Sequence, residues 1–112
     1  MTPPSPAPAA CTTMAEIRAA IDGLDQQLVA LLAERMRYIE AAARVKTERA
    51  HVRDEARKAD VIAKACAAAR RLGLSEAHVA ALYELLVERS IAHEFDVFDQ
   101  LSAARKAAAL SR

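Results

Sequence analysis

With 112 residues, the chain has room for one domain, whose core is modest for a monomer and comfortable for a dimer. Its residues are 54% hydrophobic, much of that alanine, and 28% charged, with two glycines, no tryptophan and almost no run of β-branched residues, which points to helices. A net charge of +1, from 16 basic and 15 acidic residues, gives no field strong enough to hold nucleic acid or an anionic membrane, and nowhere do the roughly 18 apolar residues of a membrane span occur together.

The first thirteen residues, MTPPSPAPAACTT, contain all four prolines and no charged side chain. Such a composition nucleates no helix and buries little, so residues 1–13 are expected to form a disordered tail. It lacks the basic n-region and continuous apolar h-region of a secretory signal, and a cytoplasmic location is expected. Cys11 and Cys66 have neither metal-binding spacing nor a disulfide framework and are read as inert thiols. His51, His78 and His93 are not clustered, so no metal site is expected, and His93 is given no role.

Residues Met14 to Val45 read as one long amphipathic helix. Thr12 or Thr13 can cap it, with Glu16 completing a capping box, and Gly23 permits close approach of a neighbouring helix. Ile17, Ile21, Leu24, Leu28, Leu31, Arg35, Tyr38 and Ala42 alternate by fours and threes, which places them on one face. Arg35 cannot lose its charge, so it either meets an anion at this seam or escapes to the helix edge, for example beside Glu34. Arg18 precedes Arg35 by 17 residues, roughly 25 Å along the axis, too far for both to hold one small ligand. Antiparallel pairing with a second copy of the helix would bring Arg18 of one chain towards Arg35 of the other. Lys46, 11 residues after Arg35, lies on the same face at about 16 Å. That spacing suits a dianion with separated carboxylates, although ordinary solvated helix faces carry cations in the same way.

Thr47 to Arg53 read as a connection. Asp54 then caps a second helix, Glu55 to about Arg71, whose apolar face is Val61, Ile62, Ala65, Cys66 and Ala69, and Gly73 ends it. Ser75 caps a third helix from Glu76 to at least Leu101, with Val79, Leu82, Tyr83, Leu86, Ser90, Ala92, Val97, Phe98 and Leu101 mostly inward. Residues 14–102 thus form a helical domain, and 103–112 extend the last helix or fray. Ser90 and Glu94 lie one turn apart on the inward face. Apolar surroundings from Leu86, Val97 and Phe98 disfavour the charged carboxylate, so Glu94 is expected to serve as a hydrogen-bond donor near neutral pH, unless it pairs with an arginine or sits at the helix edge.

The stretch IRAAIDGLDQQLVALLAERM, then Lys46, then VRDEAR, then VERSIAHEF, resembles the all-α chorismate mutase family. The resemblance spans roughly residues 14 to 101. Its motifs are specific: an Ile-Arg-x-x-Ile-Asp-x-x-Asp opening, a Leu-Leu-x-x-Arg whose arginine follows the first by 17 residues, and a lysine 11 further on. The segment CTTMAEIRAAID and the short loop after Lys46 are similar to the subgroup containing isochorismate pyruvate lyase, whose members also carry weak mutase activity.

The resemblance implies an all-α fold of three helices per chain in an intertwined homodimer, and an enzyme that rearranges chorismate to prephenate in aromatic amino-acid biosynthesis without a cofactor. It implies that Arg35 and the partner chain's Arg18 hold the substrate carboxylates and that Lys46 and Glu94 donate to the ether oxygen. Arg57 and Ser90 fall where the family contacts the carboxylate end, and Asp54 where a backbone group lies near the ring hydroxyl. Lys58 departs from the pattern, since typical mutases have a glutamate there and the lyase an apolar residue. Pyruvate elimination from isochorismate, in salicylate or siderophore biosynthesis, and a non-catalytic helical dimerisation module are the alternatives.

Overall fold

A computed structural model describes residues 6–111, and among them every regular element is helical. Helix α1 runs Met14–Val45, α2 Glu55–Arg71 and α3 Glu76–Leu110, with short 3-10 turns at Pro8–Ala10 and Arg49–His51. Of the expected disordered tail, residues 1–5 lie outside the described residues, as does Arg112 at the other end, and Pro8–Ala10 make a single turn. Helix α3 continues through residues 103–110. No helix of the described residues is long and apolar enough to cross a membrane.

The helix boundaries follow from local chemistry. At the start of α1 the Thr13 hydroxyl accepts from the Glu16 N–H at 3.2 Å, and the Thr13 and Thr12 hydroxyls donate to the Glu16 carboxylate at 3.0 and 3.1 Å. Those bonds, Thr13's foremost, hold the Glu16 carboxyl below the usual carboxylate range. Asp54, in extended backbone, caps α2 by accepting from the Arg57 N–H at 2.9 Å, and Ser75 caps α3 through the His78 N–H at 3.2 Å. Between them Gly73 takes φ +72°, which lets the Leu74 N–H reach the Ala69 carbonyl at 2.9 Å and the Gly73 N–H reach that of Arg70 at 3.4 Å. This is a Schellman closure, and its left-handed residue is one that only glycine adopts without cost.

The chain divides into two units, one ending at Met36 and the other beginning at Arg37. In the first, the tail residues Pro6, Pro8 and Cys11 and the helix residues Ile17, Ile21 and Leu24 line an apolar cleft of about 720 Å³. Along the same part of α1 the predicted seam residues Ile21, Leu24, Leu28 and Leu31 are between 50% and 61% exposed. Only Ile17 of the seam's apolar residues in this unit is half-buried.

In the second unit α2 packs along α3. Ala43, Val52, Val87, Ile91 and Phe98 are buried together, with Val61, Ile62, Phe95 and Val97 packed against them. Each large side chain buried here contributes roughly 1.5–3 kcal/mol. On α3 the inward face differs from the sequence expectation: Val79, Ser90 and Phe98 are buried, but Leu82 and Ala92 are exposed, and Val87 and Ile91 take the core positions. The inward row climbs mainly in steps of four through residues 79, 83, 87, 91, 94 and 98, of which Tyr83 is half-buried and the rest buried. Leu82 and Ala92 point about 140° and 100° away from Val87 and Ile91 respectively.

Candidate active site

Lys46 follows the last residue of α1, and its N–H still bonds to the Ala42 carbonyl at 2.9 Å, so the helical path carries it to a defined position. Its ammonium Nζ lies 2.6 Å from Oε2 of Glu94, whose side chain is 6% exposed against 29% for Lys46. The sequence expects Glu94 to donate a hydrogen bond or to pair with an arginine, and the cation it meets here is a lysine. In this structure the carboxylate accepts from Lys46, because a charge removed from water is retained most cheaply beside an opposite charge. One turn earlier Ser90 is buried, and its hydroxyl donates to the Leu86 carbonyl at 2.8 Å. Lys46, Glu94 and Ser90 thus gather where the end of α1 meets the middle of α3.

Asp54 and Arg57 stand at the N-terminus of α2. The Asp54 carboxylate is engaged in the helix cap, and the exposed Arg57 guanidinium donates to Asp60 Oδ2 at 2.8 Å. Arg18 and Arg35 lie on α1 in the first unit, where Arg18 is exposed and Arg35 half-buried. Lys58, the position that departs from the family pattern, is 16% exposed and turned to α3, with Nζ 2.6 Å from Glu84 and 3.0 Å from Glu88. Those carboxylates, Glu84 first, raise the Lys58 ammonium above its ordinary range. Arg53 grips Glu88 through two N–H groups, both at 3.0 Å, and reaches Glu55 at 2.9 Å. Arg53 first and Lys58 second push the Glu88 carboxyl down to about 2.

Two further tethers escaped the sequence reading. Arg49 donates to Asp99 at 2.9 and 3.3 Å with its guanidinium 4.5 Å from the centroid of the Phe95 ring, which ties the connecting segment to α3. His93 Nε2 faces Glu40 Oε2 at 2.8 Å. Among the described residues no cluster of histidine, cysteine or acidic side chains is placed to hold a metal ion. The site holds a cation, Lys46, against a nearly buried carboxylate, an arrangement suited to meeting an anion and to stabilising charge that develops on an oxygen.

An isochorismate pyruvate lyase of Pseudomonas aeruginosa is 32% identical over 97 residues, covering 87% of this chain and 96% of that protein. Residues 17–95, which take in α1 from its first turn, all of α2 and the Lys46–Glu94 pair, match the family described as chorismate mutase type II. With most of its length inside that match, the chain belongs to the type II chorismate mutase family.

Proposed function

We propose that the protein is a chorismate mutase that converts chorismate to prephenate as a homodimer. The observation that carries this reading is the Lys46–Glu94 contact at 2.6 Å, a cation just past the end of α1 held against a buried carboxylate on α3. The rearrangement is a concerted [3,3] shift in which the ether C–O bond breaks as a C–C bond forms, with no nucleophile, metal or proton transfer. A protein accelerates it by holding the compact conformer and by stabilising negative charge on the ether oxygen.

Lys46 supplies that stabilisation. Its ammonium has three N–H groups and Glu94 occupies one, so another can point at the ether oxygen, where the interaction strengthens as charge develops. When protonated, Glu94 adds a second donor. Arg35 and the partner chain's Arg18 hold the two carboxylates, Arg57 and Ser90 line the carboxylate end, and the backbone at Asp54 lies near the ring hydroxyl. The dimer is supported by the apolar residues Ile21, Leu24, Leu28 and Leu31, which lie exposed on α1 of a single chain and suit pairing with a second copy.

A second reading, pyruvate elimination from isochorismate, draws support from the P. aeruginosa relative. It needs nearly the same contacts, since again an ether C–O bond breaks. Purified protein given chorismate and isochorismate separately, with prephenate, salicylate and pyruvate quantified, decides between them. Prephenate from chorismate is the expected result. Salicylate and pyruvate without prephenate would establish the lyase, and no product from either substrate would leave a helical dimerisation module.

A further inference from the structure

His93 and Glu94 are neighbours on α3, and each meets a residue at the end of α1 or just past it. His93 Nε2 lies 2.8 Å from Glu40, and Glu94 lies 2.6 Å from Lys46. Glu40 and Lys46 stand three residues to either side of Ala43, which at 1% exposure is the most buried residue described and packs in the core with Ile91 and Phe98. An alanine methyl at that point allows an approach that a larger side chain would hold open. The two polar contacts therefore straddle the place where the end of α1 is seated. The two contacts run in opposite senses: a carboxyl group from the α1 side faces a ring nitrogen on α3, and an ammonium from the α1 side faces a carboxylate on α3. A slide of one residue, about 1.5 Å, would break both contacts, and a register bringing Glu40 towards Glu94 would oppose two carboxylates.

We infer that His93 is a positioning residue, whose contact with Glu40 holds the end of α1 in the register that keeps Lys46 against Glu94. Its effect on turnover rests on the mutase reading above; its effect on Lys46 does not. The His93 and Glu40 side chains are 37% and 44% exposed, so the contact by itself adds little to global stability. What it supplies is geometry, to which a reaction driven by a single aimed cation is sensitive.

The test uses full-length protein and three variants: His93→Glu, Glu40→His, and the exchanged pair Glu40→His/His93→Glu. The first readout is hydrogen exchange at the Lys46 amide, the one bonded to the Ala42 carbonyl, and the second is kcat and KM for chorismate. His93→Glu opposes two carboxylates and is expected to speed that exchange about fivefold and to lower kcat about tenfold, with KM changed less than about twofold. The exchanged pair restores both values towards wild type. If His93→Glu does not fold, His93→Ala, which only deletes the contact, provides the same comparison with smaller changes. Wild-type exchange at Lys46 in the single variants, or an exchanged pair no better than His93→Glu, overturns the inference. Wild-type protein that turns over neither chorismate nor isochorismate overturns the mutase and lyase readings instead, and the exchange measurement still decides the role of His93.

Discussion

Lys46 and Glu94 form an ion pair at 2.6 Å in which the carboxylate side chain is 6% exposed and the lysine 29%. The shielded partner is thus the negative one, and the positive one keeps access to whatever enters from outside. An isolated carboxylate in that position would be strongly disfavoured, so Lys46 compensates the burial of Glu94, and two of its three N–H groups are not needed for that contact.

Replacing Lys46 with alanine is expected to lower kcat by roughly 100-fold or more, on the order of 3 kcal/mol, with a much smaller change in KM, because its interaction grows in the transition state. The same change leaves a buried carboxylate unpaired, so the melting midpoint falls as well. Lys46→Ala combined with Glu94→Gln separates these effects. The double variant has no unpaired charge and should recover most of the midpoint without recovering turnover. A Lys46→Ala enzyme altered only in KM would place the lysine in uniform substrate binding.

Complementation tests the shared site. Arg18→Ala and Arg35→Ala proteins, each inactive alone, are refolded together. Random pairing yields about half heterodimers, each with one intact site built from Arg35 of one chain and Arg18 of the other, so about a quarter of wild-type activity returns. Heterodimers shown by mass spectrometry to have formed, yet inactive, would count against two chains sharing a site.

The three helices were legible because their ends carry strong local signals. Thr13, Asp54 and Ser75 cap them, and Gly73 closes α2 in the left-handed conformation its position demands. The inner face of α3 was not legible, because leucines and alanines surround it: Leu82, Leu85 and Ala92 are as apolar as the buried Val87 and Ile91. Only packing against α2 and the end of α1 chooses among them. Lys46 and Glu94 could each be singled out from sequence, whereas their pairing across 48 positions could not. Lys58 illustrates the same limit. Its placement against Glu84 and Glu88, 26 and 30 residues later, depends on the register between two helices, which no local pattern encodes.

The Arg53–Glu88–Lys58 network should make stability pH-dependent at the acid end. The Glu88 carboxyl is depressed from its ordinary 4.5 to about 2, so its contribution is fully present above about pH 4.5 and is lost as pH falls towards 2. Glu88→Gln should therefore melt slightly below wild type at neutral pH and lose less on acidification, so that the two midpoints converge near pH 2. The groups are half-exposed, and added salt should shrink the difference. Parallel melting curves at every pH from about 2 to 7 would show that the network contributes nothing.

The part Glu94 takes in turnover can be separated from its hold on Lys46. A carboxylate can only accept, as this one does from Lys46, and beside an ether oxygen that gains negative charge as its bond breaks it repels where a neutral donor would stabilise. Glu94→Gln keeps the size, leaves a carbonyl oxygen that can still accept from Lys46, and adds an amide N–H that can donate to the ether oxygen. The variant is therefore expected to turn over chorismate faster than wild type, whereas Glu94→Leu, which removes both the donor and the partner of Lys46, should be slower than either. Measuring kcat for the three proteins at one pH, with folding monitored alongside, checks this. A folded Gln variant that is inactive would remove Glu94 from the reaction and leave it only the task of holding Lys46.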